Sequence, residues 1–442
     1  MEQSLFEDYL NQVKQLIQIN SVKSSPLKDA PYGEGVKRAF SFVHKLAESF
    51  GFHVDNLDQK VLIIDYDSQQ SDEYIGIFSH IDVVSVDDVD SWIQPPFSGE
   101  IQDERMYGRG TLDNKGPTVA VLYAMKQLKD KGYKPRKGIR LVIGGDEESG
   151  MDCLGTYKQK MTAPVFGFTP DAYFPITIKE QGIMPFEVKL PIDEHTCLQE
   201  VLVGFSRNVK PQSGNYTLQL EDIERVQDLH AVQKVKVIGE RQVKVDVSEE
   251  SGEAIASVVD HLLTLCGDAE QETKNSLTRI QSLLLDESGE ALGIYCEDDD
   301  GKLSMRATRL FTTEGGLTVT MDLRYPASFR EKDMKEKLAD VMAQHQLTYQ
   351  LDQPKAPINF DANHPMVNKL LAVYERCTGR NEQPKAIAGG TYARIYPDRV
   401  IAFGAVYPDE PVTAHQTNEN VPLYMMEDWL VIYEEAIRAL SQ

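Results

Sequence analysis

The sequence predicts an α/β fold: a mixed, mostly parallel sheet covered by helices, with an inserted α+β domain. Three observations predict it. Short apolar runs alternate with helical patterns between Val61 and Ile143, and strands joined by helices build parallel sheets covered on both faces. Within the stretch from about Lys179, Val243, Val245 and Val247, and later Leu317, Val319, Met321 and Leu323, alternate singly with polar residues, which marks half-buried strands. After Pro357 the helix, strand and helix pattern of the first part resumes. The economical organisation is one discontinuous domain, 1–178 and 357–442, interrupted by an insert at 179–356.

The elements follow in order. Phe6, Tyr9, Leu10, Val13, Leu16 and Ile17 share one helical face, and a second helix is expected from roughly Val36 to Phe50. Val61 to Ile64, Tyr74 to Phe78 and Ile139 to Ile143 read as buried strands, with a helix from about Gly116 to Lys129 between the last two. In the insert, Gly239-Glu240-Arg241-Gln242 turns the chain between Val235/Val237 and Val243/Val245/Val247. Helices are expected over Ile255 to Cys266 and around Leu277 to Leu284. Glu297-Asp298-Asp299-Asp300-Gly301 lacks calcium-loop spacing and reads as a hairpin turn. Asp87, Asp88 and Asp90 read as a solvated loop. Pro365 to Cys377 forms a helix, Val400 to Phe403 a strand, and Trp429 to Leu440 the last helix.

With 46 basic and 69 acidic residues among 442, the formal charge of −23 argues against nucleic-acid or anionic-membrane partners. Hydrophobic content of 41% and charged content of 26% are ordinary for a globular chain. The five cysteines are scattered and form no Cys-x-x-Cys pair, against a disulfide framework or thiolate zinc site. The N-terminal residues carry no signal-peptide pattern, and no stretch approaches the ~18 apolar residues of a membrane span. A cytoplasmic location is expected.

The chemistry gathers at strand ends. His80 and Asp82 follow one strand, Glu147 and Glu148 follow another, and Asp113 precedes a helix. Asp171 and His415 lie in Thr169-Pro170-Asp171 and Thr413-Ala414-His415. Ligands of open α/β sheets collect beyond the carboxyl ends of the strands. Two imidazoles and three carboxylates suit Zn²⁺ or a similar divalent ion. Five such donors exceed the needs of one tetrahedral ion and suit two if one carboxylate bridges. Asp82, two residues from His80, is placed to accept the second imidazole N–H. Glu147 and Glu148, being adjacent on extended chain, face different ways, which leaves Glu147 free to handle a proton.

Ser79-His80-Ile81-Asp82-Val83-Val84, Tyr107-Gly108-Arg109-Gly110-Thr111-Leu112-Asp113-Asn114-Lys115-Gly116-Pro117 and Gly145-Asp146-Glu147-Glu148-Ser149-Gly150 carry a resemblance, together with Met321-Asp322-Leu323-Arg324-Tyr325-Pro326 and Gly389-Gly390-Thr391-Tyr392-Ala393-Arg394. The chain resembles the dizinc peptidases of aminoacylase and carboxypeptidase G type, and among them the peptidase V-like bacterial dipeptidases. The resemblance implies two Zn²⁺ ions, with Co²⁺ or Mn²⁺ as substitutes. Asp113 would bridge them, His80 and Asp171 would complete one site, and Glu148 and His415 the other. Glu147 would be the general base and Asp82 the residue orienting His80. Asp171 would also lie near the substrate's amino end. The insert would act as a lid contributing Asn208 and Arg324 to substrate binding, with Gly390, Thr391 and Arg394 lining the pocket.

The implied activity is hydrolysis of dipeptides by a metal-activated water, on a small peptide partner and in a monomer. One departure stands out: the segment where such lids carry a carbonyl-polarising histidine reads Lys244-Val245-Asp246-Val247-Ser248. His230 and His261 are the candidates to replace it. Alternatives are an amidase or deacylase acting on N-acyl amino acids, or a weakened or non-catalytic metal-binding relative.

Overall fold

The structure is a computed structural model, and it describes residues 3–68, 70–86, 89–205, 210–220, 226, 229–249 and 251–442. Two compact units divide the chain: Met1–Lys179 with Asn359–Gln442, and Glu180–Ile358.

The first unit is built on a mixed sheet running in the order His53–Leu57, Val61–Tyr66, Gly138–Gly144, Tyr74–His80, Phe166–Thr169, Val400–Ala402 and Thr177–Glu180. Its centre is parallel: Tyr74–His80 pairs in parallel with both Gly138–Gly144 and Phe166–Thr169, and the latter with Val400–Ala402. The outer pairings are antiparallel. Every residue of Tyr74–His80 is buried, as a central strand covered on both faces requires. The helix Lys115–Asp130 is buried without interruption from Lys115 to Met125 and packs against Gln3–Ile17 and Leu423–Ser441. This helix starts one residue before the Gly116 suggested by periodicity.

Because the central strands are parallel, their carboxyl ends lie along one edge. His80 stands opposite Gly144, and Thr169 stands opposite Ala402. The loops bearing Asp82, Glu147, Glu148 and Asp171 therefore leave the sheet together. A side chain at Gly144 would put its Cβ 2.1 Å from the Tyr392 hydroxyl, so glycine is what lets Tyr392 pack under this edge.

The second unit is an antiparallel sheet in the order Val232–Gly239, Gln242–Ser248, Ser213–Gln219, Leu198–Val203, Ser304–Thr313, Gly316–Tyr325, Phe186–Pro191 and Thr348–Leu351. Its helices are Ala254–Leu265, Gln271–Arg279 and Glu331–Gln344. Val243, Val245 and Val247 face its core, as their alternation predicts. The paired strand Val232–Gly239 differs: as an edge strand it is mostly exposed, and Val237 is 58% exposed. Glu297–Asp298 and Gly301–Lys302 form the expected hairpin. Of the acidic loop, Asp90 is exposed, while Asp87 and Asp88 lie outside the described residues. No described helix is long and apolar enough to cross a membrane.

Candidate active site

His80 ends its strand fully buried. Its Nδ1–H donates to the Asp82 carbonyl oxygen at 3.0 Å, with the Asp82 carboxylate at 3.5 Å. The main chain of Asp82 is thus the nearer partner of His80. Both carboxylate oxygens of Asp82 instead accept backbone N–H groups, from Glu147 at 3.1 Å and from Glu148 at 3.1 Å. One buried residue therefore orients the imidazole through its carbonyl and locks the neighbouring acidic turn through its side chain. Asp146 completes that turn, accepting from Lys23 Nζ at 2.5 Å and from the Asp152 backbone at 3.2 Å.

Asp113 lies between the two histidines. Its Oδ1 is 2.9 Å from His80 Nε2, and its Oδ2 is 3.0 Å from His415 Nε2. His415 Nε2 is also 3.0 Å from Glu148. Asp171 stands 3.5 Å from His80 Nε2 and accepts from the Asn114 amide at 2.9 Å. His415 has φ of 63°, a left-handed conformation uncommon outside glycine, so its loop holds the imidazole against a local backbone preference. The structure thus gathers His80, Asp113, Glu148, Asp171 and His415 at one edge of the sheet, with Glu147 among them.

The donors fit divalent cations. His80 Nε2 is buried and lies 2.9 Å from Asp113, yet it has no hydrogen-bond partner. Glu147 Oε1 is likewise buried without one. Donor atoms of His80, Asp113 and Glu148, and of His80, Glu147 and Asp171, lie within 4.8 Å of one another. The set is held partly by ion pairs among its own members, His80 and His415 with Asp113 and His415 with Glu148, and it still leaves over buried polar atoms of a kind that is almost always hydrogen-bonded.

Charge crowding agrees with that reading. Burial raises the Glu147 carboxyl well above its usual range, His80 opposing and Asp171, Glu148 and Asp113 reinforcing. Burial and Asp113 push Glu148 up to about 7. Burial alone would lower His415, but Asp113 and Glu148 outweigh it and raise it to about 11. Burial and Asp113 also raise Asp171.

Glu419 is a site residue that motif reading missed. Its fully buried carboxylate accepts three backbone N–H groups, from Gly110 at 3.0 Å, Leu112 at 2.9 Å and Asp113 at 3.1 Å, and pairs with Arg109 at 2.8 Å. It shapes the loop that presents Asp113. The available signal was its position four residues after His415, in the same loop. Asn114 extends the support: its amide bridges Asp171 and the Pro170 carbonyl, and its oxygen accepts from Ser79. Lys115 is buried, which pulls it down to about 7 against the influence of Glu419 and Asp82. Its Nζ ties the N-terminal segment through the Leu16 and Ile19 carbonyls.

A cavity of about 710 Å³ borders Asp113 and Asp171 and is lined also by Tyr173, Lys385, Gly390 and Thr391. Thr391 accepts from the Ala393 backbone N–H and so caps the short turn Tyr392–Ile395. Arg394 is not among the lining residues but packs against Gly390, where a Cβ would lie 2.5 Å from its Nε. In the second unit, Arg324 pairs with Asp322 at 3.1 Å, and Asn208 lies outside the described residues. His261 is buried there between the Tyr216 hydroxyl at 3.0 Å and the His230 carbonyl at 2.6 Å. The exposed His230 imidazole pairs with Glu249 at 2.8 Å.

Residues 76–439 match the model of Peptidase family M20/M25/M40. The chain belongs to this family and is a peptidase, a hydrolase of peptide bonds. It is 29% identical over 466 residues to the Bacillus subtilis (strain 168) protein "Putative dipeptidase YtjP", covering 99% of this chain and 98% of that one. The fold is shared with the dipeptidase Dug1p from Saccharomyces cerevisiae, at a TM-score of 0.63 and 13% identity, over 99% and 96% of the two chains. It is shared also with Bacillus subtilis YXEP, a dinuclear metal binding peptidase of the M20 family, at a TM-score of 0.55 and 10% identity, over 99% of each chain.

Proposed function

We propose that the chain is a dipeptidase dependent on two divalent ions, Zn²⁺ first among them, which removes the N-terminal residue of a short peptide. The observation that carries the reading is Asp113 standing within 3.0 Å of both His80 and His415, with Glu147 beside them and its Oε1 buried and unpartnered. His80, Asp171, Glu148 and His415 would hold the ions, with Asp113 shared between them. Bound there, such ions supply Lewis acidity toward a water and toward the carbonyl under attack.

The chain's own groups do the rest. Glu147 Oε1 accepts a proton from the attacking water and returns it to the departing amine nitrogen. Asp82 keeps Glu147 in place by holding its backbone N–H. The cavity beside Asp113 and Asp171 falls within the usual size of a small-molecule site, and it offers Asp171 to the substrate's ammonium group. Gly390 and Thr391 line its wall, and Arg394 packs against Gly390. Arg324 and Asn208 are proposed for the substrate's remaining polar groups. A dipeptide rather than an N-acyl amino acid is favoured because the carboxylate of Asp171 suits an ammonium, which the neutral N-acyl group lacks. The reading includes a monomer working in the cytoplasm.

Hydrolysis of a panel containing dipeptides and N-acyl amino acids, with metal content measured on the same sample, tests it. Turnover of dipeptides with two metal equivalents is the expected result. Turnover confined to N-acyl amino acids would replace dipeptidase by deacylase. Bound metal without turnover of either class would leave a binding protein.

A further inference from the structure

The second unit holds a pair of cysteines that the peptidase chemistry does not use. Cys197 immediately precedes the strand Leu198–Val203, and Cys266 follows the helix Ala254–Leu265. They are 69 residues apart in sequence, yet their Sγ atoms lie 3.7 Å apart. Cys266 is buried at 4% exposure, whereas Cys197 is half-buried.

The approach is built by a third residue. One carboxylate oxygen of Glu270 accepts the backbone N–H of Cys197 at 2.7 Å and the Thr196 hydroxyl at 2.5 Å. The other accepts the backbone N–H of Gly267, the residue after Cys266, at 2.7 Å. Glu270 therefore clasps both cysteine-bearing segments. A disulfide needs its sulfurs at about 2.05 Å, so the pair has about 1.6 Å left to close from 3.7 Å.

We propose that Cys197 and Cys266 are a site of reversible oxidation, closing to a disulfide when a hydroperoxide reacts with the more exposed thiol. Peroxide oxygen transfers to Cys197 Sγ, giving a sulfenic acid and water. The Cys266 sulfur then attacks Cys197 Sγ, the S–O bond breaks, and the thiol proton leaves with the hydroxyl as a second water. Two thiols and one hydrogen peroxide thus yield one disulfide and two waters. Transient pairs of this kind are the form disulfides take in reducing compartments.

Binding of a metal is the competing use, since Cys197, Cys266 and Glu270 lie close enough to share an ion. Glu270 argues against it, because its oxygens already accept three hydrogen bonds. Structural zinc sites want four ligands, and the cluster offers three.

The test treats the full-length metal-loaded enzyme with a small excess of hydrogen peroxide, then denatures it in iodoacetamide and digests it for mass spectrometry. The expected product is a Cys197–Cys266 linked peptide, two hydrogens lighter than the separate peptides and restored by dithiothreitol. Cys153, Cys296 and Cys377 should stay alkylatable. In Cys266→Ser, Cys197 should halt at a sulfenic acid trapped by dimedone. In Cys197→Ser, Cys266 should remain a free thiol. Oxidised wild type should melt a few degrees higher than reduced, since the bond closes a long loop. Sulfinic acid at Cys197 without a linked peptide, linkage to another cysteine, or loss of one metal equivalent in Cys197→Ser would each overturn the proposal.

Discussion

The two units bury different kinds of polar group. In the first, His80, Asp82, Arg109, Lys115, Asp146 and Glu419 are all buried within or beside one loop cluster. In the second, the buried polar side chains are mostly threonines and serines, and His261 is enclosed between a tyrosine hydroxyl and a backbone carbonyl. Unpaired buried atoms occur in both units, Thr320 Oγ1 in the second and His80 Nε2 and Glu147 Oε1 in the first. What sets the first apart is that its buried charges crowd one cluster, and such a concentration marks where structure serves chemistry rather than stability.

The comparison can be broken most severely at Glu147. Glu147→Gln keeps the shape but removes the proposed proton acceptor, so kcat should fall by ~10²–10⁴, with metal content by elemental analysis unchanged. Wild-type turnover in this variant would remove Glu147 from the chemistry.

Glu419→Gln probes a residue that acts only through the Asp113 loop. Removing its charge leaves Arg109 buried without a counter-ion, a change that typically costs about 3–5 kcal/mol of stability. Metal affinity should fall by ~10–100-fold, and added metal should restore much of the activity. A loss of kcat that excess metal does not relieve would contradict this positioning role.

Chelation sharpens the contrast between the units. Ligand at ~1,000 times its Kd stabilises by about 4 kcal/mol, so a chelator should lower the first unit's melting transition and leave the second's in place. Calorimetry with and without chelator, read by hydrogen exchange in each unit, makes the comparison. Equal shifts in both would deny that metal binding is local.

The smallest effect belongs to His261. Burial lowers its pKa below the ordinary 6.5, opposed by the His230 carbonyl, so the folded state favours the neutral ring. Its stabilising contribution is complete above the unfolded value of about 6.5 and is lost as pH falls toward the lower folded value. The slope cannot exceed about 1.4 kcal/mol per pH unit, the limit for one proton. Denaturant melts of the second unit between pH 7.5 and 5 should show it, and His261→Gln should flatten it.

Much of the fold was legible because its signals are local. Buried runs such as Tyr74 to Phe78 and alternations such as Val243, Val245 and Val247 report burial by period alone. Val232–Gly239 shows the limit: its alternation matches a half-buried strand, but at the sheet edge little covers it. His80, Asp113 and Glu148 stood out because each follows a strand or precedes a helix. Glu419 did not, since a glutamate in a loop becomes exceptional only when burial and three N–H donors surround it.

By itself the sequence determined the helix and strand periods, the charge balance and the candidate residues for holding divalent cations. Each is a property of a side chain or of its near neighbours. Only the tertiary structure decided that the Asp82 carboxylate serves Glu147 and Glu148 while its carbonyl serves His80, that Glu419 carries the Asp113 loop, and that Cys197 and Cys266 meet. Those relations join segments far apart along the chain, and the folding that brings them together leaves no pattern in the spacing of the residues.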